Sequence, residues 1–306
     1  MKAMVMHRYG GPEQLESADH PAPVRGPGEV LIRLKTTSVN PVDWKVGAGH
    51  LDAAIPGDFP IIPGWDAAGQ VAEADPADTG FTVGDEVFGY LRRPVVKWGT
   101  YAQYTVAEPS MIAAKPPTLE WDAAGALPLV GLTALQALDA VGVGTGDTVL
   151  VHAAAGGVGS IAVQVALARG AQVIGTASQG HHDHVRTLGA EPVEYGDGLE
   201  DRIEAFAPDG IDAALDAAGG QFELSVRAGA EPSRVVSIID RSVRDDGGRW
   251  VFVEPDADGL RALAALTESG QVDVPVSAVY RLDQAAEAWR ASRSGHTRGK
   301  LVIRVD

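Results

Sequence analysis

One stretch constrains the fold of this 306-residue chain more than any other: TVLVHAAAGGVGSIAVQVALARGAQVIGTAS, Thr148 to Ser178. It reads as a buried strand, a tight glycine turn, a helix and a second strand. Ala153, Gly156 and Gly159 stand at A-x-x-G-x-x-G spacing, with Gly157 and Val158 between. Glycines are needed in such a turn for three reasons: the bend itself, close backbone approach to a pyrophosphate, and packing of helix on strand. The helix start then offers free N–H groups and a partial positive charge to phosphates. The spacing alone carries little weight. Its strand–turn–helix–strand context makes it a dinucleotide fingerprint, against a bare βα turn that binds nothing.

The end of the second strand predicts which dinucleotide. An NAD site places Asp or Glu about 20 residues past the first glycine, on the ribose 2′-hydroxyl. Here the chain reads GTASQGHHDHVR, with Thr176, Ala177 and Ser178 at the strand end and no carboxylate before Asp183. A carboxylate there would repel a 2′-phosphate. Ser178 offers it a hydrogen bond, and His181, His182 or Arg186 offer positive charge. The reading is NADP(H). His181, His182 and His184 also raise a metal site, but with no second ligand group the cluster reads as a solvated loop.

The rest of the chain divides by texture. The first third has short alternating runs such as EVLIRLKTTSV and GTYAQYTVAE, punctuated by Pro and Gly, which predicts a compact, mostly β domain. From about Lys115 a helical segment begins, and strands then alternate with helices, which predicts βαβ units and a parallel sheet. The tail, strand–helix–strand from VSAVYRL to KLVIRV, either extends that sheet or returns to the first domain.

Composition excludes several classes. A formal net charge of −16 argues against nucleic acid or an anionic membrane as partner. There is no Cys, so disulfides, thiolate metal sites and cysteine nucleophiles are excluded. No signal peptide is read at the start, and no stretch is read as apolar enough to span a bilayer, so a cytoplasmic protein is expected.

Further segments carry a resemblance: NPVDWKVGAG from Asn40, PGWDAAGQV from Pro63, GDEVFG from Gly84, then GTYAQYTV, ALPLVGLTALQAL, VHAAAGGVG, DAALDAAGG and GKLVIRV. In this order the chain resembles zinc-free medium-chain dehydrogenases/reductases of the quinone oxidoreductase-like group, over essentially its whole length. It is similar also to polyketide enoyl-reductase domains and alkenal reductases. The resemblance implies an α/β fold, with a GroES-like β-rich catalytic domain over 1–117 and 273–306 and a doubly wound Rossmann domain over 118–272. It also implies a cleft between the domains as active site and a homodimer.

Zinc-dependent relatives carry Cys where this chain has Asn40, and His-Glu where it has Trp65 and Asp66. No metal site is expected, so acceptors that take hydride unaided fit best: a quinone or an α,β-unsaturated carbonyl. As the resemblance implies, Asn40 lies near nicotinamide and substrate carbonyl, where its amide donates to an oxyanion. Asp43 belongs to the same motif, either catalytic or capping a helix. Thr133, Ala153, Gly156, Gly157, Val158, Gly159, Thr176, Ser178, His181, His182, Ala217, Ser237, Val253 and Lys300 fall at cofactor positions. Relatives place a Tyr about ten residues after the Asn; here His50 or Leu51 stands there, and His50 is a candidate proton donor or a plain loop histidine. Tyr90, Trp98 and Trp250 are pocket walls or simply core. The expected activity is NADPH-dependent reduction of a quinone or enone. The alternatives are an enoyl-reductase tailoring enzyme and a cofactor-binding sensor with little catalysis.

Overall fold

The computed structural model describes residues 1–295 and 297–305. The chain forms two compact units: 1–129, 254–268 and 276–305 make the first, 130–253 and 269–275 the second.

The first unit is built on a seven-stranded sheet. Its long strand, Val30–Val39, is β-rich in Val, Leu, Ile and Thr and nearly all buried. Antiparallel to it run Asp66–Glu73, Tyr104–Ala107 and Lys300–Arg304. Glu86–Tyr90 and Ile112–Ala114 continue on one side. Val276–Arg281 pairs in parallel with Lys300–Arg304 on the other, joined through the helix Ala285–Arg293. The tail thus lies in the first unit's sheet. The core there includes Trp289, Tyr90, Tyr101, Phe88, Met4 and Ile32, all essentially inaccessible. Gly69 keeps the central strands close: a Cβ there would lie 2.9 Å from Arg33 C.

The second unit carries a six-stranded sheet, parallel throughout. Across it run Glu191–Glu194, Gln172–Ala177, Thr148–His152, Ala213–Asp216, Val235–Ser237 and Arg249–Trp250. The first strand in sequence lies at the centre, and the order reverses there, as in a Rossmann sheet. Leu150, Ile174, Ala214 and Val235 from four strands pack with Leu199, Ile203 and Phe222 into one core. The short segment 269–275 is held to this unit from both sides of one amide. Gln164 Nε2 donates to Asp273 O at 2.9 Å, and Asp273 N–H donates to Gln164 Oε1 at 2.7 Å.

The helix Trp121–Ala140 contains the division between units. It corrects one expectation, because its length and apolar composition would suffice to cross a membrane. Its sequence is apolar for another reason: 78 % of that stretch is buried inside the protein. Its start is tied to the first unit by Thr36 Oγ1 donating to Trp121 O at 2.6 Å and by Arg304 paired with Asp122 at 2.6 Å.

Candidate functional site

In the second unit, the turn after Thr148–His152 is a rigid backbone cradle. Ala153 has φ 56°, the left-handed region, and is the one non-glycine residue there among those described. Its carbonyl accepts from Gly156 N–H at 3.0 Å. A Cβ on Gly159 would lie 2.8 Å from Ala154 Cα and closer still to the Ala153 carbonyl, so only glycine fits. The first bond of helix Gly157–Ala168 is Ser160 N–H to Gly156 O, at 2.9 Å. The N–H groups of Gly157, Val158 and Gly159 therefore precede the helical ladder and remain available to an anion. These residues fit a pyrophosphate.

Thr176 holds the cradle from the neighbouring strand. Its Oγ1 accepts from Ala153 N–H at 3.1 Å and its carbonyl from Ala154 N–H at 2.9 Å. It is buried, and its side chain braces the turn. Ser178 follows half-buried, with Oγ 3.4 Å from His181 Nδ1. His182 Nε2 lies 3.3 Å from Ala177 O. Arg186, by contrast, is paired with Asp183 at 2.9 Å. Ser178, His181 and His182 thus share one short loop with no carboxylate between them.

The carboxyl edge of the sheet shows two residues that no sequence motif singles out. Asp216, fully buried, gathers the loop that follows it: Oδ1 accepts from Ala218 N–H at 2.9 Å and Gly219 N–H at 2.7 Å, and Oδ2 from Ser237 Oγ at 3.2 Å. It thereby positions Ala217 and Ser237. Beside it in register is His152, whose Nε2 lies 3.1 Å from Ser225 Oγ. Burial pushes the His152 imidazole down to about 4, opposed by the Asp216 charge. Both residues end strands that the apolar runs predict. An apolar run ending in one His or one Asp was the available signal. Thr133 is buried in the helix Trp121–Ala140, and Val253 is buried just after the last strand of the sheet.

In the first unit, three strand ends meet and bring Asn40, Asp66 and Lys300 together. Leu301 pairs with Val39, which carries Lys300 alongside Asn40. Lys300 Nζ donates to Asn40 Oδ1 at 2.5 Å and to Val39 O at 3.3 Å, and lies 3.5 Å from Asp66 Oδ2. Asn40 Nδ2 donates to the same Asp66 oxygen at 2.7 Å. Ser38 Oγ also reaches Asp66 Oδ2, and Leu129 N–H donates to Oδ1 at 2.7 Å. That last donor directly follows Pro128, a proline inside the helix. All three side chains are buried. Burial lowers the Lys300 ammonium, while Asp66 and then Asp43 raise it. Asn40 is the one asparagine in the whole chain.

Asp43 sits a turn away, on helix Pro41–Gly47. Its Oδ2 accepts from Asn40 N–H at 2.8 Å and from Tyr101 OH at 3.1 Å, while Trp289 Nε1 donates to Tyr101 OH at 3.1 Å. Its Oδ1 is buried without a partner. Burial pushes the Asp43 carboxyl up to about 7; the Asn40 N–H opposes this and the Asp66 charge adds to it. Tyr101 is raised well above its ordinary value, chiefly by burial. His50 lies apart from this cluster on the exposed turn after the helix.

These positions do not fit a catalytic zinc. Trp65 offers no ligand atom and packs edge-on against Tyr90 at 6.1 Å. The oxygens of Asn40 and Asp66 already surround an ammonium group. Trp98 and Trp250 are half-buried rather than core, and Trp250 stacks on Phe252 at 6.0 Å with Arg241 over its ring.

Residues 26–117 match the alcohol dehydrogenase GroES-like domain, and residues 188–303 match a domain described as zinc-binding dehydrogenase. The chain is 30 % identical to a chloroplast envelope quinone oxidoreductase homolog of Arabidopsis thaliana, over 99 % of this chain and 98 % of that protein. It is 31 % identical to an NADPH-dependent alkenal/one oxidoreductase of the same plant, over 99 % of this chain and 79 % of that one. The solved quinone oxidoreductase of Coxiella burnetii superposes with a TM-score of 0.86 at 30 % identity, covering 100 % and 99 % of the two chains. A mycobacterial protein solved with NADPH superposes at 0.85 with 27 % identity, covering 100 % of each. With its GroES-like and Rossmann units and these relatives, the chain belongs to the medium-chain dehydrogenase/reductase family, in its quinone oxidoreductase-like group.

Proposed function

We infer that the protein is an NADPH-dependent reductase of a quinone or an α,β-unsaturated carbonyl. The observation that carries this reading is the glycine cradle beside a strand end that holds Ser178, His181 and His182 and no carboxylate. Relatives named as quinone and alkenal/one oxidoreductases support the choice of acceptor.

Gly157, Val158 and Gly159 would hold the pyrophosphate through backbone N–H groups, and Ser178 with the two histidines would hold the 2′-phosphate. The bound reduced nicotinamide supplies a hydride. Asn40 contributes the second hydrogen of Nδ2, the one not given to Asp66, to the acceptor oxygen that becomes anionic. A fixed dipole in a buried site stabilises such a charge far better than water does. Solvent then delivers the proton that completes the hydroquinone or the saturated carbonyl.

Titration with NADPH and with NADH, followed by nicotinamide fluorescence, tests the cofactor. Tighter binding of NADPH by at least about tenfold, roughly one charge-assisted contact, is expected. Equal or tighter binding of NADH overturns the strand-end reading. Adding benzoquinone, phenanthrenequinone or a short enone to the loaded protein tests the reaction. Oxidation of NADPH with none of them overturns the acceptor class.

A further inference from the structure

We propose that Lys300 and Asp66 form a buried charge latch that fixes which way round the Asn40 side-chain amide lies, making both of them positioning residues for the hydrogen Asn40 donates. The inference rests on the donor role given to Asn40 above.

An asparagine amide has two ends of nearly equal size and opposite hydrogen-bonding character. Turned over, it presents an oxygen where a donor is required. Here its two ends meet groups that accept no ambiguity. An ammonium only donates, so the end at Lys300 Nζ must be Oδ1. Asp66 is met by four donors, from Ser38, Asn40, Lys300 and Leu129, so it acts as an acceptor and the end facing it must be Nδ2. Reversal would set N–H against ammonium and oxygen against carboxylate, exchanging two charge-assisted hydrogen bonds for two repulsions. The orientation therefore follows from chemistry and not only from the 2.5 Å and 2.7 Å distances.

Lys300 has no capacity left for another role. Its three N–H groups face three acceptors: Asn40 Oδ1, the Val39 carbonyl and Asp66. It is buried to within 3 % of its surface. It acts through Asn40 rather than on a ligand. The latch also loads the amide: a cation on the oxygen and an anion on one hydrogen draw electrons off the nitrogen and hold its plane still.

The test uses the single asparagine, because selective 15N labelling of asparagine side chains yields one NH2 signal pair from the intact protein. Lys300→Met alone strands a buried carboxylate and risks unfolding. The Lys300→Met/Asp66→Leu double variant removes both charges, roughly keeps the volumes and leaves Asn40 the one asparagine, so it is the variant to set against the wild type. In the wild type, the Nδ2 proton bonded to Asp66 is expected well downfield of its partner. In the double variant it moves upfield, toward the shift of an unconstrained asparagine. NADPH affinity stays within about twofold, and kcat for the quinone falls between about twofold, for an amide that flips freely, and about a hundredfold, for one that has turned over. Unchanged Asn40 signals in the folded double variant overturn the latch. Altered signals with unchanged kcat keep the latch and overturn the donor role of Asn40.

Discussion

A carboxyl with one oxygen bonded and the other buried without a partner is best accommodated as the neutral acid, and Asp43 is that case. Its folded value near 7 lies above the ordinary 3.8, so the folded state holds a proton that the unfolded state has lost. Stability from this residue is therefore full below pH 4 and declines as pH rises toward 7. Asn40, Tyr101, Asp66 and Lys300 are the groups that face it. Asp43→Asn removes this contribution: relative to the wild type it gains on the order of 4 kcal/mol between pH 4 and pH 8, read from urea unfolding at each pH. A parallel pair of curves would show that Asp43 titrates normally. At Gly159 the argument is steric. Gly159→Ala pushes a methyl into the Ala153 carbonyl, and NADPH affinity should fall at least about tenfold while the unfolding midpoint drops. Retained affinity would remove the cradle from the binding site.

At the scale of elements, the turn depends on the strand beside it. Thr176→Val removes the Oγ1 that accepts from Ala153 N–H and leaves that donor unsatisfied, at a cost of roughly 1–3 kcal/mol. Cofactor affinity should weaken with it, although the role found for Thr176 is to hold the turn. Full affinity in the valine variant would mean that the turn keeps its shape without the brace. The strands and helices of this region were legible because hydrophobic periodicity switches between two and three or four residues there. The glycines were legible because their spacing is local. Its place at the strand end predicts a Thr176 that faces the ligand, yet alternation in the strand turns its hydroxyl toward Ala153. Asp216 and His152 were hidden for a similar reason. Each closes an apolar strand, and only the parallel register of neighbouring strands puts them side by side. The Asn40–Lys300 pair spans 260 positions, and nothing in either local sequence points to the other. Sheet register alone joins them.

At the scale of the whole molecule, two buried titrations oppose each other. His152 is held neutral, with a folded value near 4 against 6.5, so its contribution is full above pH 6.5 and is lost as pH falls toward 4. Asp216 and Ser225 are the groups that face it. Asp43 runs the other way over the same interval. The wild type should accordingly show a nearly flat stability between pH 4.5 and 6.5 from these two groups. His152→Gln should expose a stability that falls with rising pH, and Asp43→Asn one that rises, each measurable by thermal unfolding. Matching slopes in the two variants would refute the opposition. The lone Asn40 has a last consequence, for chemical ageing. Asparagine deamidates when the following backbone nitrogen attacks its side-chain carbonyl, and here the following residue is Pro41, whose nitrogen bears no hydrogen. The usual succinimide route is closed at the one asparagine the chain possesses. Weeks of storage at neutral pH should leave the protein's isoelectric focusing band free of the acidic satellites that asparagine loss creates.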